Sequence, residues 1–239
     1  MSYIKFFIAM VLTVCAFGWG VYVGVYKSFP YDLVYELKQF VKPSPLTNER
    51  NGESKRISQF EFVNSKADVV LIGDSITEGA IWNEFFPQYR LLNRGVGGDK
   101  ASDVQQRIDS IVSVEPKYAF IMVGINEIYQ DISVKEIFGN YVEIVHKLQE
   151  KDIDVIIQST IQCELSRCGQ KRVSKVNELN ALLSAFASKN DIQYLNLGKL
   201  ADNRGLDGSL TTDGVHLNME GYAVWVDILS VKLKHLLGF

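Results

Sequence analysis

Acidic and basic side chains nearly cancel in this chain of 239 residues, whose formal net charge is −3 and whose isoelectric point lies near 5.7. No long basic run interrupts that balance, which excludes an electrostatic nucleic-acid surface. Cysteine is scarce, with three in all. Cys15 falls in an apolar stretch, leaving Cys163 and Cys168 in "QCELSRCGQ". A zinc site would need a second ligand pair, and none is present. Two cysteines on one polar loop suit a small disulfide in an oxidising compartment; two unrelated thiols are the alternative. There are only three histidines, His146, His216 and His235, so a histidine base must be one of them. The glycine cluster at 95–98 lacks the GK[ST] ending of a phosphate loop, and no internal repeat or low-complexity tract occurs.

One long apolar run is present. Residues 6–26, "FFIAMVLTVCAFGWGVYVGVY", carry no charge between Lys5 and Lys27. As a helix these 21 residues would extend about 32 Å, enough to cross a bilayer core. An uncleaved anchor is the preferred reading over a cleaved signal peptide and a buried core helix. A signal's apolar region is usually about 7–15 residues, and Ala16-Phe17-Gly18 makes a poor cleavage site. Orientation has two opposed indicators. Lys27, Lys38 and Lys42 outnumber Lys5 and would hold the main domain in the cytoplasm. The cysteine pair favours a periplasmic or extracellular domain, and this membrane-anchored, external placement is the expectation adopted.

Leu33, Val34, Leu37, Phe40 and Val41 then follow helical spacing. "KPSPLTNERNGESKR", punctuated by Pro43 and Pro45, reads as a linker. The expected organisation is an anchor or signal at 1–28, an amphipathic segment and linker at 29–59, and the main domain at 60–239.

Within that domain apolar runs alternate with amphipathic stretches. Strands are expected at 69–72, 90–93, 118–123, 155–158 and 193–196, and helices at 102–112, 134–150, 172–188 and 219–237. Such alternation implies an α/β fold, a parallel sheet with helices on both faces. Ligands bind beyond the carboxyl ends of such strands. The first strand ends in Gly73-Asp74-Ser75, the second in "NRGVGGDK", the third in "VGINE". A hydroxyl, a flexible backbone turn and a carboxamide thus reach one edge. Each has a plainer reading: Ser75-x-x-Glu78 fits a capping box, the glycines a turn, and Asn126 a helix cap. His146 and His235 fall within amphipathic helices. His216 lies in "TTDGVHLNMEGY", three residues after Asp213 and before a helix that Asn218 would cap. Asp213 would orient His216, and His216 would take the Ser75 proton.

These four blocks together resemble the SGNH, or GDSL, hydrolase family. They stand in order as Gly73-Asp74-Ser75, Gly97-Gly98-Asp99, Gly124-Ile125-Asn126 and Asp213-Gly214-Val215-His216, and the resemblance spans about residues 65–238. It implies a flavodoxin-like three-layer α/β/α sandwich with five parallel strands. It also implies a serine esterase with Ser75, His216 and Asp213 as catalytic triad and an oxyanion hole of the Ser75 amide, the Gly98 amide and the Asn126 side chain. No metal or organic cofactor is required. Glu127 departs from the aspartate common at that position and is not expected to touch substrate. Similarity of "GDSITEGAIWNEFF" and "NRGVGGD" to small-acyl esterases and platelet-activating-factor acetylhydrolase-like members implies an acetyl preference, on a substrate such as a glycan. Trp82, Phe85 and Phe86 follow the nucleophile and either limit the acyl pocket or belong to the core. Lysophospholipase or thioesterase activity, O-acyl transfer by the same triad, and a non-catalytic binding domain are the alternatives.

Overall fold

Val69, Val70, Leu71 and Ile72 are buried on both faces of β1 (Val69–Gly73), as a central strand of a covered parallel sheet must be. The structure, a computed structural model, describes residues 2–26, 53–63, 65–202 and 204–238. Five parallel strands form the sheet: β1, β2 (Leu91–Gly95), β3 (Tyr118–Met122), β4 (Asp154–Gln158) and β5 (Gln193–Leu195), in the order β2-β1-β3-β4-β5. The α/β fold and the five expected strands are therefore present.

Register sets where the strands stop. Gly73 pairs with Gly95 on one side and with Met122 on the other, so β1, β2 and β3 end level. From β1 the chain first moves to β2, then returns past β1 to β3. That reversal makes the β1/β3 boundary the crevice where such sheets bind ligands. Right-handed crossovers send connections of opposite direction to opposite faces. One face receives α3 (Ser75–Glu78) and α4 (Trp82–Phe85), with the last helix, α10 (Met219–Leu237). The other receives α5 (Ala101–Gln106), α6 (Ile108–Val112), α7 (Ile125–Tyr129), α8 (Val134–Gln149) and α9 (Leu165–Lys189).

Several boundaries differ from the sequence expectation. The helix expected at 102–112 is two, because Arg107 (φ −105°, ψ 18°) leaves helical geometry between α5 and α6. The helix expected at 172–188 starts at Leu165 and is broken at Gly169, whose φ of 71° suits glycine alone. Cys163 and Cys168 form a disulfide beside that break. The stretch expected as linker up to residue 59 contains α2 (Glu53–Glu61). Phe60 of α2 is buried, and Arg56 bonds the carbonyl of Gly95. The chain divides into compact units Met1–Glu49 and Arg50–Phe239, so the domain begins before residue 60. The amphipathic segment at 33–41 lies outside the described residues. At the N-terminus α1 (Ser2–Tyr26) is a single helix, and none of its stretch Lys5–Tyr22 is buried, unlike a core helix. By length and composition it suits a membrane anchor or a signal peptide.

An aromatic cluster joins α4 to α10. The rings of Trp82 and Trp225 meet edge to face at 4.9 Å, and Tyr222 packs beside both. Trp82 and Phe86 are fully enclosed here and so belong to the core, whereas Phe85 is partly exposed. The polar tips secure the turn bearing Ser75. Trp82 Nε1 donates to Thr77 O (2.7 Å) and Tyr222 Oη to Ile76 O (2.8 Å), while Trp225 Nε1 donates to Gln158 Oε1 (2.9 Å). Trp225→Ala would open a cavity and strand Gln158. It is expected to lower unfolding free energy by about 3–5 kcal/mol in urea titrations, against a change within about 0.5 kcal/mol for exposed Phe62→Ala.

Candidate functional site

Ser75 is the first residue of α3, but it is not the cap. Asp74 is: its backbone is extended and its Oδ1 accepts from the Ile76 amide at 2.9 Å. The capping-box reading fails because Glu78, which would have to reach back, instead accepts the Gly97 amide at 2.6 Å. Ser75 is thereby free to turn its hydroxyl outward. Its Oγ lies 3.0 Å from His216 Nε2.

The His216 ring is held from the other side by Asp213 Oδ2, 2.8 Å from Nδ1. An ionised carboxylate only accepts, so Nδ1 carries the proton and Nε2 accepts from Ser75. Asp213 Oδ1 takes the amides of Val215 (3.0 Å) and His216 (2.8 Å), which fixes the carboxylate plane against its own loop. Partial burial pushes the Asp213 carboxyl up, but the His216 ring and those two amides outweigh it and hold the pKa at about 2. The loop itself is anchored by Thr211 Oγ1 to His216 O (2.7 Å) and by the Glu164 amide to Gly214 O (2.7 Å). The side chains of His216 and Asp213 remain 45% and 52% exposed, so the site is open to solvent. His146 and His235 are exposed on α8 and α10. Asn218 caps α10 through its bond to the Gly221 amide.

The glycine turn after β2 has one uncommitted donor. Among the described residues, the amides of Gly95, Val96, Gly97, Asp99, Lys100 and Ala101 all donate to protein acceptors, and that of Gly98 does not. Gly98 is exposed, with a φ of 81° that favours glycine. Asn126 lies in the first turn of α7 and does not cap it, since Gly124 holds the cap position. Its Nδ2 donates to Asp99 O at 2.9 Å, one residue past Gly98. The amide has a second N–H that this bond leaves available. Ser75, Gly98, Asn126, Asp213 and His216, all named from sequence, thus gather at one sheet edge. Among the described residues no cluster of three or more His, Cys, Asp or Glu side chains suits a metal ion.

The sequence reading did not show what four residues do at this edge. Glu78 holds Gly97, and Glu127 accepts the Ala101 amide, bracing the helix that follows the glycine turn. Arg107, buried, donates to Asp99 Oδ2 (2.7 Å) and Arg94 O (2.8 Å). Arg56 donates to Gly95 O (2.6 Å). The one available signal was the glutamate at 127, where the motif's usual aspartate is shorter. Burial raises the Asp74 carboxyl to about 7 despite the Ile76 amide, with Glu127 and Asp99 adding to the rise. Burial likewise raises Glu127 to about 7, partly offset by the Ala101 amide.

The GDSL-like lipase/acylhydrolase family model matches residues 71–224. Platelet-activating factor acetylhydrolase IB subunit alpha1 of Rattus norvegicus is 28% identical over 213 residues, covering 82% of this chain and 90% of that protein. N-acylneuraminate cytidylyltransferase of Streptococcus agalactiae serotype V is 25% identical over 158 residues, 66% of this chain, and the match spans only 36% of that protein's length. A GDSL-like lipase from Bacteroides thetaiotaomicron shares the fold, with a TM-score of 0.68 at 23% identity, covering 77% of this chain and 98% of that one.

The two raised carboxyls give stability a definite pH dependence. Between about pH 4 and 7 the unfolded chain has ionised both groups while the folded chain still holds their protons. Fewer protons on the unfolded state mean that stability falls as pH rises through this window. Asp74→Asn keeps the cap acceptor and removes the ionisation. It is expected to flatten the fall by a few kcal/mol, roughly, in denaturation midpoints measured from pH 4 to 7; an unchanged slope would discount Asp74 as its source.

Proposed function

Because the chain belongs to the GDSL-like lipase/acylhydrolase family and is an ester hydrolase, we propose that it removes short acyl groups, above all acetyl, through a covalent intermediate on Ser75. The observation that carries this reading is the continuous hydrogen-bonded series from Ser75 Oγ to His216 to Asp213. In the first half-reaction Ser75 Oγ attacks the ester carbonyl as its proton passes to His216 Nε2. Asp213 keeps the ring in the required tautomer and stabilises the imidazolium. The oxyanion receives the Ser75 amide at the start of α3, the Gly98 amide and the free N–H of Asn126 Nδ2. His216 then gives its proton to the departing alcohol, and the ester C–O bond breaks. Water repeats the sequence to release the acid and restore Ser75.

The acetyl preference has support in the name of the acetylhydrolase relative. A hydroxylated leaving group such as a glycan fits the openness of the His216–Asp213 side. The apolar α1 favours a second reading, in which the substrate is a lysophospholipid or another lipid ester at a membrane surface. O-acyl transfer to a sugar hydroxyl would use the same residues with a different acceptor. We assign α1 as an uncleaved anchor and the hydrolase unit to the outside of the cytoplasmic membrane. The unburied apolar helix and the Cys163–Cys168 disulfide support that assignment.

Ser75→Ala and His216→Ala are expected to lower kcat by about 10⁴-fold or more, with Asp213→Ala retaining about tenfold more activity than either. His146→Ala and His235→Ala should retain wild-type rates. Near-wild-type turnover by folded His216→Ala would falsify the triad. On an ester series, kcat/KM should be highest for acetyl; higher values for long chains would replace the acetylesterase reading with the lipid one. A reporter fused after Phe239 should be active only outside the cytoplasm, and activity solely inside would reverse the assigned orientation.

A further inference from the structure

The segment matched by the family begins at residue 71, yet a helix before it reaches the glycine turn. Arg56 of α2 donates through Nε to Gly95 O at 2.6 Å, and its Nη1 stands 3.5 Å from Glu78 Oε1. The other oxygen of Glu78 accepts the Gly97 amide at 2.6 Å. Arg56 therefore holds the turn at two points, one directly and one through Glu78. The residue after the second point is Gly98, whose amide is the uncommitted one. A turn further along α2, Phe60 fastens the helix down. Its ring is 4.3 Å from the Arg94 guanidinium and 5.9 Å from that of Arg107, which itself grips Asp99.

We propose that Arg56 is a positioning residue for the oxyanion-binding amide of Gly98, acting through Gly95 O and the Glu78–Gly97 contact. This rests on the reading of Gly98 as an oxyanion donor. Gly97 and Gly98 have no side chains to restrict them, so the direction of the Gly98 N–H is set by what holds their neighbours. On the far side Asn126 and Arg107 hold Asp99, and on the near side Arg56 and Glu78 hold Gly95 and Gly97. Removing the near clamp frees one end of the turn. The ester's ground-state carbonyl depends little on this donor, whereas the tetrahedral oxyanion depends on it strongly, so the loss falls on kcat rather than on KM.

The test uses the full chain in detergent with p-nitrophenyl acetate as probe. Arg56→Ala is expected to lower kcat about 10- to 100-fold with KM changed less than about twofold. Arg56→Lys should recover part of the loss, since an ammonium can reach one of the two partners without forking to both. Glu78→Ala should give a similar loss, and the double variant little more than either single, as two parts of one clamp. Wild-type kcat in Arg56→Ala would overturn the proposal, as would losses that multiply in the double variant. If Arg56→Ala does not fold, Glu78→Ala supplies the comparison with the helix retained, and a wild-type kcat there would also overturn it. Asn126→Ala separates this proposal from the reading beneath it. A fall in kcat there with none in Arg56→Ala rejects only the clamp, and wild-type kcat in Asn126→Ala rejects the oxyanion assignment and the clamp with it.

Discussion

The turn that carries Ser75 rests on contacts with no spare volume. A Cβ placed on Gly73 would lie 2.0 Å from Thr77 Oγ1 and 2.7 Å from Met122 O, and one on Gly95 would lie 2.3 Å from the Glu78 amide nitrogen. The helix α3 therefore sits directly on the ends of β1 and β2. Four residues are far too few to form a helix alone. This one is held instead by side chains from elsewhere. Asn93 Nδ2 bonds the carbonyls of Thr77, Glu78 and Ala80, while Trp82 and Tyr222 bond those of Thr77 and Ile76. Those of Ile76, Thr77 and Glu78 are carbonyls that a short helix leaves without internal partners. The position of the Ser75 hydroxyl is thus inherited from the sheet.

Beneath the glycine turn lies a group of ionisable side chains that are ordinarily kept at the surface. Arg94 and Arg107 are almost wholly enclosed, as are Asp99, Asp74 and Glu127. Arg107 and Asp99 satisfy one another at 2.7 Å, and Arg107 also reaches the carbonyl of Arg94. Arg94 has a less complete environment: burial, with Arg107 and Arg56 close by, lowers its pKa to about 10, and its guanidinium rests over Phe60. Removing one partner of such a group leaves an uncompensated charge inside the protein, which costs far more than the pair contributes. The group's role here is one of geometry: Arg107 ends on the carbonyl of Arg94, Asp74 on the Ile76 amide and Glu127 on the Ala101 amide.

Elements built from near neighbours were legible in the sequence. Continuous apolar runs announced the strands, and Asp213 and His216 announced themselves by lying in one loop three residues apart. The parallel sheet then had to bring the strand ends together, so the site could be assembled from its parts. What stayed hidden depends on partners far along the chain. Glu78 read as a capping residue because S-x-x-E is a local pattern, while its real partner, Gly97, is 19 positions away. Arg56 read as linker because nothing near it shows that Gly95, 39 positions on, will present a carbonyl. Glu127 reads as a residue that does not touch substrate, and its bond to the Ala101 amide, 26 positions away, crosses from one strand end to the next. The break at Arg107 has the same origin, since its side chain is drawn to Asp99 and the carbonyl of Arg94.

Ser75 and His216, whose side chains meet at 3.0 Å, are 141 positions apart, and the helix that closes the aromatic cluster begins at Met219. A growing polypeptide emerges from the ribosome N-terminus first, so Ser75 is made well before the histidine whose ring it meets. The loop of Asp213 and His216 follows much later, and α10 must then pack through Trp225 and Tyr222 to hold it against Ser75. The contact between Ser75 and His216 therefore waits on the docking of α10. A prematurely terminated product lacking that C-terminal portion leaves the Ser75 hydroxyl without its histidine partner.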